Sequence, residues 1–290
     1  MTNGYEGAPA RRGGGGRLIV ALVLVVVALV SYYSKTQVNP VTGEKQHVAM
    51  NVDQEKALGL ESAPQMAREM GGALDPGTDP QARLVAELGK KLVARSSAGR
   101  SPYADNFHFY LLADTKTVNA FALPGGQIFF TRGLFSRLSN ESQVAAVLGH
   151  EIGHVIHRHS AEQMAKGQLG QMLGGAIAVG ADDGSGRGRS AAMAAAMVNQ
   201  MIQLKYGRGD ESESDQYGLQ ALVDTGYDPS AMLDLMYVLK ESSGDGRQPE
   251  ILSSHPLPDT RIDDIRTWLK QHYPDGIPGS LAKGGPLPGV

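Results

Sequence analysis

The chain has 290 residues, of which 41% are hydrophobic and 20% charged, a balance typical of a globular protein with one or two domains. The formal net charge is -3 and no basic run extends beyond Arg11–Arg12, so nothing indicates nucleic-acid binding. Cysteine is absent, which excludes disulfides, thiol catalysis, cysteine-ligated zinc and a lipid-modified N-terminal cysteine.

The N-terminal region predicts a targeting segment. Residues 1–17 are Gly-rich and carry three arginines, and residues 18–33 contain no charged side chain. An apolar run that follows arginines predicts a transmembrane anchor with a cytoplasmic N-terminus. A cleaved signal peptide is the alternative, although no small-residue cleavage site follows the run. Either way, the rest of the chain is expected in the periplasm of a bacterium, anchored to the inner membrane or released.

Residues 34–50 read as an extended linker before a domain predicted over 51–272. Asn51 or Asp53 is expected to cap a helix that runs to about Met70. Asp79 is the expected cap of the next helix, with Pro80 in its first turn.

The hydrophobic period then changes from helical to alternating. Residues 107–114 and 118–133 predict strands, with the turn of the second stretch at Pro124–Gly126. Asn140 or Ser142 is expected to cap the helix that follows.

The second half of the domain is predicted to be helical. The Gly-rich stretch 167–189 reads as a surface loop, or as a mobile segment facing a membrane or covering a site. Helices are expected over 190–207, 210–226, 228–243 and 258–273. The Gly/Pro-rich tail, 273–290, is predicted to be disordered.

The sequence His150-Glu151-Ile152-Gly153-His154 matches the pattern H-E-x-x-H. Residues four apart share one face of a helix, so both imidazoles can bind one zinc ion. Glu151 lies close enough to this face to reach a zinc-bound water without binding the metal. His157 and His159 are expected at the solvated end of the helix and are not assigned as ligands.

A catalytic zinc needs a third protein ligand. The extended metzincin pattern fails, because His157 stands where its glycine is required and Ser160 where its third histidine is required. A glutamate on a later helix is the other solution. Glu211 is the first choice, with Asp215 one turn on as a carboxylate that orients a ligating histidine. Glu213 is the second choice.

At these residues the sequence resembles zinc metallopeptidases of the HtpX and CAAX prenyl protease type, peptidase family number forty-eight. Four stretches carry the resemblance in the same order as in the family, within about 80–272. They are NAFALPGGQIFFTRGL (119–134), VLGHEIGHVIHRHS (147–160), RGDESESDQYGLQALVDTGYDP (208–229) and SSHPLPDTRIDDI (253–265). Ser214 departs from the alanine usual in the family.

The resemblance implies an α+β, zincin-like fold of the gluzincin type, mainly helical, with a small sheet beside the active-site helix. It implies one zinc ion per subunit on His150, His154 and Glu211, with Glu151 as base and Asp215 behind the ligands. It adds His255 as a partner of the transition-state oxygen or a regulatory group; Arg208 is a weaker candidate for the first role. It also implies that the strand Asn119, Ala120, Phe121 and Ala122 binds the substrate backbone.

The predicted function is that of a zinc endopeptidase that cleaves internal peptide bonds of misfolded or envelope proteins. Only one apolar segment is present, so the chain is more like the single-anchor or periplasmic members, and prenylated substrates are not expected. The alternative is a membrane-anchored, zinc-containing chaperone or adaptor with latent or no proteolysis. The expected partners are polypeptide substrates and the membrane, and the sequence leaves the oligomeric state open.

Overall fold

The computed structural model describes residues 14–181, 205–242, 249–257 and 259–289. Most of the predicted N-terminal region 1–17, the end of the Gly-rich stretch 167–189 and most of the predicted helix 190–207 lie outside these residues. The described helices are α1 (Gly14–Ser34), α2 (Val52–Glu69), α3 (Pro80–Arg95), α4 (Arg132–Phe135), α5 (Glu141–Ile156), α6 (His159–Ala181), α7 (Arg208–Thr225), α8 (Ala231–Ser242), α9 (Ile251–Ser254) and α10 (Asp259–His272).

The helix starts follow the predicted caps. The side chains of Asn51, Asp79 and Asn140 accept hydrogen bonds from backbone N–H groups in the first turns of α2, α3 and α5. Pro80 is the first residue of α3, where a missing N–H costs nothing. These local predictions are confirmed.

A three-stranded sheet lies beside α5. Strand β3 (His108–Leu112) runs parallel to β5 (Gln127–Thr131), and β4 (Ala120–Leu123) pairs antiparallel with β5 at the edge. Gly125 and Gly126 make the β4–β5 turn with φ of 81° and 111°, a region that glycine occupies without a Cβ clash. The fold is therefore mainly helical with a small mixed sheet, as predicted.

The hydrophobic core fixes α5 from behind. Val144, Leu148, Ile152 and Val155 are buried against α3, the sheet and α8. Burial of each such side chain contributes roughly 1.5–3 kcal/mol. The helix that carries the histidines is thus held along its whole length.

The predicted linker 34–50 contains a β-hairpin instead. Strands β1 (Thr36–Val38) and β2 (Lys45–His47) pair antiparallel. Asn39 and Gln46 donate side-chain hydrogen bonds to the carbonyls of Ile156 and His157, at the end of α5. These donors satisfy carbonyls that a helix end leaves without intrahelical partners.

The Gly-rich stretch is helical where it is described, because α6 continues to Ala181. Helix α1 packs along it. Within the described residues, no helix combines the length and the apolar character that crossing a membrane requires. The anchor over 18–33 stays a prediction.

The tail predicted to be disordered packs against the domain as far as it is described. Leu287 is buried, Pro288 accepts a hydrogen bond from Gln81, and Ala282 pairs with the backbone around Tyr227. Composition alone missed these contacts because they are made with residues far away in the sequence.

Two residues, His157 and Arg158, join α5 to α6, and Arg158 adopts a left-handed conformation. Arg158 has φ of 59°, which is uncommon for a residue with a side chain. Its buried guanidinium pairs with Glu55 and donates to the carbonyl of Met50 and to Gln37. These contacts hold the turn that separates His157 from His159.

Candidate metal centre

Helices α5 and α7 cross at a point where small residues leave no bulky side chain between the two backbones. A Cβ added at Gly153 would lie 3.0 Å from Ser214 Cα, and one at Gly149 would lie 3.2 Å from Gly218 Cα. Side chains on both helices can therefore meet across a short gap. This close approach brings the residues of α7 to the histidines of α5.

Four side chains form the inner cluster: His150, His154, Glu211 and His255. One ligand atom of each lies within 4.8 Å of the others, and all four residues are buried. The predicted ligands are thus brought together, and His255 joins them from the residue after α9.

The spacing of the inner cluster fits one tetrahedral zinc ion. Metal–ligand bonds of about 2.0–2.1 Å place tetrahedral ligand atoms roughly 3.3 Å apart. His150 Nε2 lies 3.0 Å from His154 Nε2 and 3.3 Å from His255 Nδ1. The carboxylate of Glu211 lies 3.5 Å from His154 Nε2, 3.6 Å from His150 Nε2 and 3.0 Å from His255 Nδ1. Nitrogen and carboxylate oxygen donors without thiolate suit zinc and similar divalent ions.

Asp215 orients His150 from behind, as expected of a carboxylate four residues after Glu211. Its Oδ1 is 2.9 Å from His150 Nδ1, which directs the Nε2 lone pair of that ring into the inner cluster. Burial alone would raise the pKa of Asp215, but Arg261 and His150 outweigh it and lower the pKa to about 2. Asp215 is therefore ionised at neutral pH.

Arg261 was not singled out in the sequence. Its guanidinium donates to both oxygens of Asp215, at 2.8 and 2.7 Å, and lies 2.5 Å from Glu211 Oε2. The pKa of Glu211 is lowered, because His255 and Arg261 outweigh the effect of burial. Arg261 thus helps to keep both carboxylates ionised, together with His255 at Glu211. The feature that could have indicated the role of Arg261 is its place beside the apolar, buried positions Ile262 and Ile265 of α10.

Glu151 lies beside the inner cluster and not within it. Both of its carboxylate oxygens are buried without a hydrogen-bond partner among the residues that the structure describes. Burial raises the pKa of Glu151, and the facing histidines only partly oppose this effect. A buried carboxylate without a partner is costly, so this arrangement indicates a group that the site receives from outside.

His255 faces both carboxylates. Its Nδ1 is 3.0 Å from Glu211 Oε1, and its Nε2 is 3.7 Å from Glu151 Oε1. Burial alone would lower the pKa of His255, but Glu211 and Glu151 raise it. Arg208, the weaker candidate for the transition-state oxygen, is exposed at the start of α7.

Tyr206 was also missed by sequence reasoning. It is buried with its ring centroid 4.0 Å from that of His154, and its hydroxyl is 2.9 Å from Ser160 Oγ. Burial raises its pKa, so the hydroxyl is protonated at neutral pH. The ring covers one side of His154, whose pKa burial lowers well below its usual value.

His157, His159 and Glu213 form a second group, the outer cluster. His159 is buried and His157 partly buried, so the prediction that both are solvated is wrong. The contact with His159 lowers the pKa of Glu213, and burial lowers that of His157. Glu213 points away from the inner cluster, as expected from its position on the helix.

The strand predicted to bind substrate lies at the sheet edge, next to α5. Asn119, Ala120 and Ala122 are buried and Phe121 is partly buried. The Ala122 carbonyl accepts a hydrogen bond from Ser160, and Asn119 Oδ1 is buried without a partner in the described part of the chain.

Comparison with known proteins gives one family and several relatives. The profile of peptidase family M48 matches residues 80–269. The beta-barrel assembly-enhancing proteases of Yersinia pestis and Escherichia coli (strain K12) are 34% and 31% identical, over 246 and 241 residues. Each match covers 81% of this chain and 48% of the relative.

A mitochondrial metalloendopeptidase OMA1 from Schizosaccharomyces pombe is 28% identical over 243 residues, which cover 83% of this chain and 69% of that protein. The chain spans about half the length of the bacterial relatives.

Proposed function

Because the chain belongs to peptidase family M48, we propose that it is a zinc-dependent endopeptidase that hydrolyses internal peptide bonds of misfolded or envelope proteins. The observation that carries this proposal is the buried carboxylate of Glu151, which has no hydrogen-bond partner among the described residues and lies beside three ligands at zinc spacing. Two histidines one turn apart and a glutamate on a later helix are the ligand set of a gluzincin.

The proposed zinc ligands are His150, His154 and Glu211, with one ion per subunit. Asp215 fixes the ring of His150, and Arg261 fixes Asp215. A bound zinc ion supplies a Lewis acid that polarises the scissile carbonyl and acidifies water. The protein's own part is to hold three donors rigidly and to keep bulk water out.

Glu151 is the proposed general base. Its carboxylate accepts a proton from the attacking water, and it then delivers this proton to the leaving amine. Among the described residues no donor competes for either oxygen, which leaves both available for this transfer. His255 Nε2, which is also buried without a hydrogen bond in the described structure, is the proposed donor to the transition-state oxygen.

The substrate is proposed to pair with the edge strand β4. An extended peptide can add to a sheet edge through main-chain hydrogen bonds, which bind without regard to side-chain sequence. Residues Asn119–Ala122 lie at that edge, next to the helix that carries Glu151. Such binding suits a peptidase that acts on unfolded chains.

One observation favours a second candidate function, a zinc-containing chaperone or adaptor with latent or no proteolysis. His255 Nδ1 lies within the inner cluster, so four protein ligands can close around the ion. Closed sites of four protein ligands are structural, whereas catalytic sites keep one position open.

Cleavage of casein by the full chain tests both candidates. Glu151→Gln is expected to retain zinc and to lose about 10²–10⁴-fold in rate, because only the proton acceptor is removed. Glu61→Gln, on the exposed side of α2, is the matched control. Zinc-loaded wild type that does not cleave, but does so once His255→Ala is introduced, would support the latent reading. Equal rates for wild type and Glu151→Gln would overturn the base assignment.

The proposed location is the bacterial envelope, with residues 18–33 as anchor or export signal. The support is the order of arginines and apolar residues, together with relatives named for β-barrel assembly. Digestion of intact spheroplasts with an added protease is expected to degrade the domain. A domain that remains protected until the cells are lysed would refute this location.

A further inference from the structure

The outer cluster has the geometry of a metal site in its own right. The ligand atoms of His157, His159 and Glu213 lie within 4.8 Å of one another. Glu213 Oε2 is 3.1 Å from both His157 Nδ1 and His159 Nε2. These separations are close to the roughly 3.3 Å expected between tetrahedral ligands of one zinc ion.

One ring nitrogen of the outer cluster lacks a hydrogen bond, although a carboxylate oxygen lies nearby. His157 Nδ1 is buried and, among the described residues, makes no hydrogen bond, although Glu213 Oε2 is only 3.1 Å away. The two atoms are close without being aligned as donor and acceptor. A neutral ring with its proton on Nε2 leaves the Nδ1 lone pair free to bind an ion.

The outer cluster is also open to solvent on one side. The side chain of Glu213 is 42% exposed, against 1% for Glu211 of the inner cluster. An ion can therefore enter directly and keep water in its remaining positions.

We propose that His157, His159 and Glu213 form a second site for a divalent transition metal of the zinc type. Two imidazoles and one carboxylate favour such ions over calcium and magnesium, which prefer oxygen ligands alone. The site goes beyond the proposed peptidase, since none of its three residues contributes to the inner cluster.

A hydrogen bond between His154 and His159 links the two sites. His154 Nδ1 and His159 Nδ1 are 2.9 Å apart, so one of the rings must donate and the other accept. When His154 binds a metal through Nε2, its proton lies on Nδ1 and points to His159. His159 then carries its own proton on Nε2, where it donates to Glu213.

A metal on His159 Nε2 would release that proton to solvent, so the outer ion competes with the hydrogen bond from His159 to Glu213. The second ion is therefore expected to bind more weakly than the first.

Equilibrium dialysis of the full chain against zinc, with metal counted by mass spectrometry, tests the outer site. Wild type is expected to take up a second, weaker equivalent. His157→Ala and Glu213→Gln are expected to take up the first equivalent alone, with unchanged affinity. His272→Ala and Glu61→Gln, both at exposed positions, are the matched controls and should keep both.

A single equivalent in wild type at a large excess of zinc would overturn the proposal, and so would a second equivalent that both variants retain. The metal count is independent of cleavage, so an inactive protein that binds two ions would refute the peptidase and keep the outer site.

Discussion

The inner and outer clusters draw on the same stretch of chain around α5 and on the same helix α7, yet they differ in depth. All four residues of the inner cluster are buried, whereas Glu213 of the outer cluster is open to solvent. The inner cluster arises where glycines let two helices touch, and the outer cluster arises at the turn after α5. Depth therefore separates a cluster that is closed off from solvent from one that solvent can reach.

The largest expected effect comes from His150→Ala, which removes an inner ligand. We expect the inner zinc and all casein cleavage to be lost, because two remaining donors cannot hold the ion in place. The outer cluster should still take up its own equivalent. Zinc content and cleavage, measured on the same sample, check both statements, and retained inner zinc would contradict the ligand assignment.

A smaller effect is expected from Arg261→Leu, which leaves Asp215 and Glu211 buried without their cation. Breaking a buried ion pair costs about 3–5 kcal/mol in the free energy of unfolding. Urea unfolding in the presence of a chelator measures this cost without the metal. Arg266→Leu, on the exposed side of the same helix, is the control and should change stability by less than about 1 kcal/mol.

The smallest expected effect is the acid dependence due to Asp215. Its pKa falls from the ordinary 3.8 to about 2 on folding, so ionisation stabilises the folded state above the ordinary value. This contribution, on the order of 2 kcal/mol, is lost as the pH falls from about 4 to about 2.

In a chelator, wild type should therefore lose more stability than Asp215→Asn between about pH 4 and about pH 2. The difference between the two proteins isolates Asp215, because the other carboxyl groups titrate in both. Equal losses would show that Asp215 has an ordinary pKa in the folded chain.

The contrast between the clusters also marks what a sequence can predict. His150, Glu151 and His154 follow from the geometry of a single helix, and Glu211 and Asp215 from the same spacing on another. The caps Asn51, Asp79 and Asn140 follow from rules that act over three residues. Each of these predictions depends on neighbours in the chain.

Contacts between distant segments were not predictable in this way. Arg261 meets Asp215 across 46 residues, and Tyr206 meets Ser160 across another 46. The outer cluster depends on the turn at Arg158, which has a positive φ. An arginine in a sequence does not indicate this conformation. The packed tail was missed for the same reason, since its partners lie far away in the sequence. The strands of the hairpin 36–47 pair locally, but the residues that they pack against, at the end of α5, are also distant.

Arg158 has a practical consequence for where the chain can be shortened. Its guanidinium donates hydrogen bonds to Gln37 and to the carbonyl of Met50 and pairs with Glu55. Residues of the N-terminal segment therefore stabilise the turn between α5 and α6. A truncated protein that begins after Met50 keeps every proposed zinc ligand. It loses two of the three partners of the Arg158 guanidinium, Gln37 and the carbonyl of Met50. The minimal stable unit is thus expected to be longer at its N-terminal end than the family match beginning at residue 80.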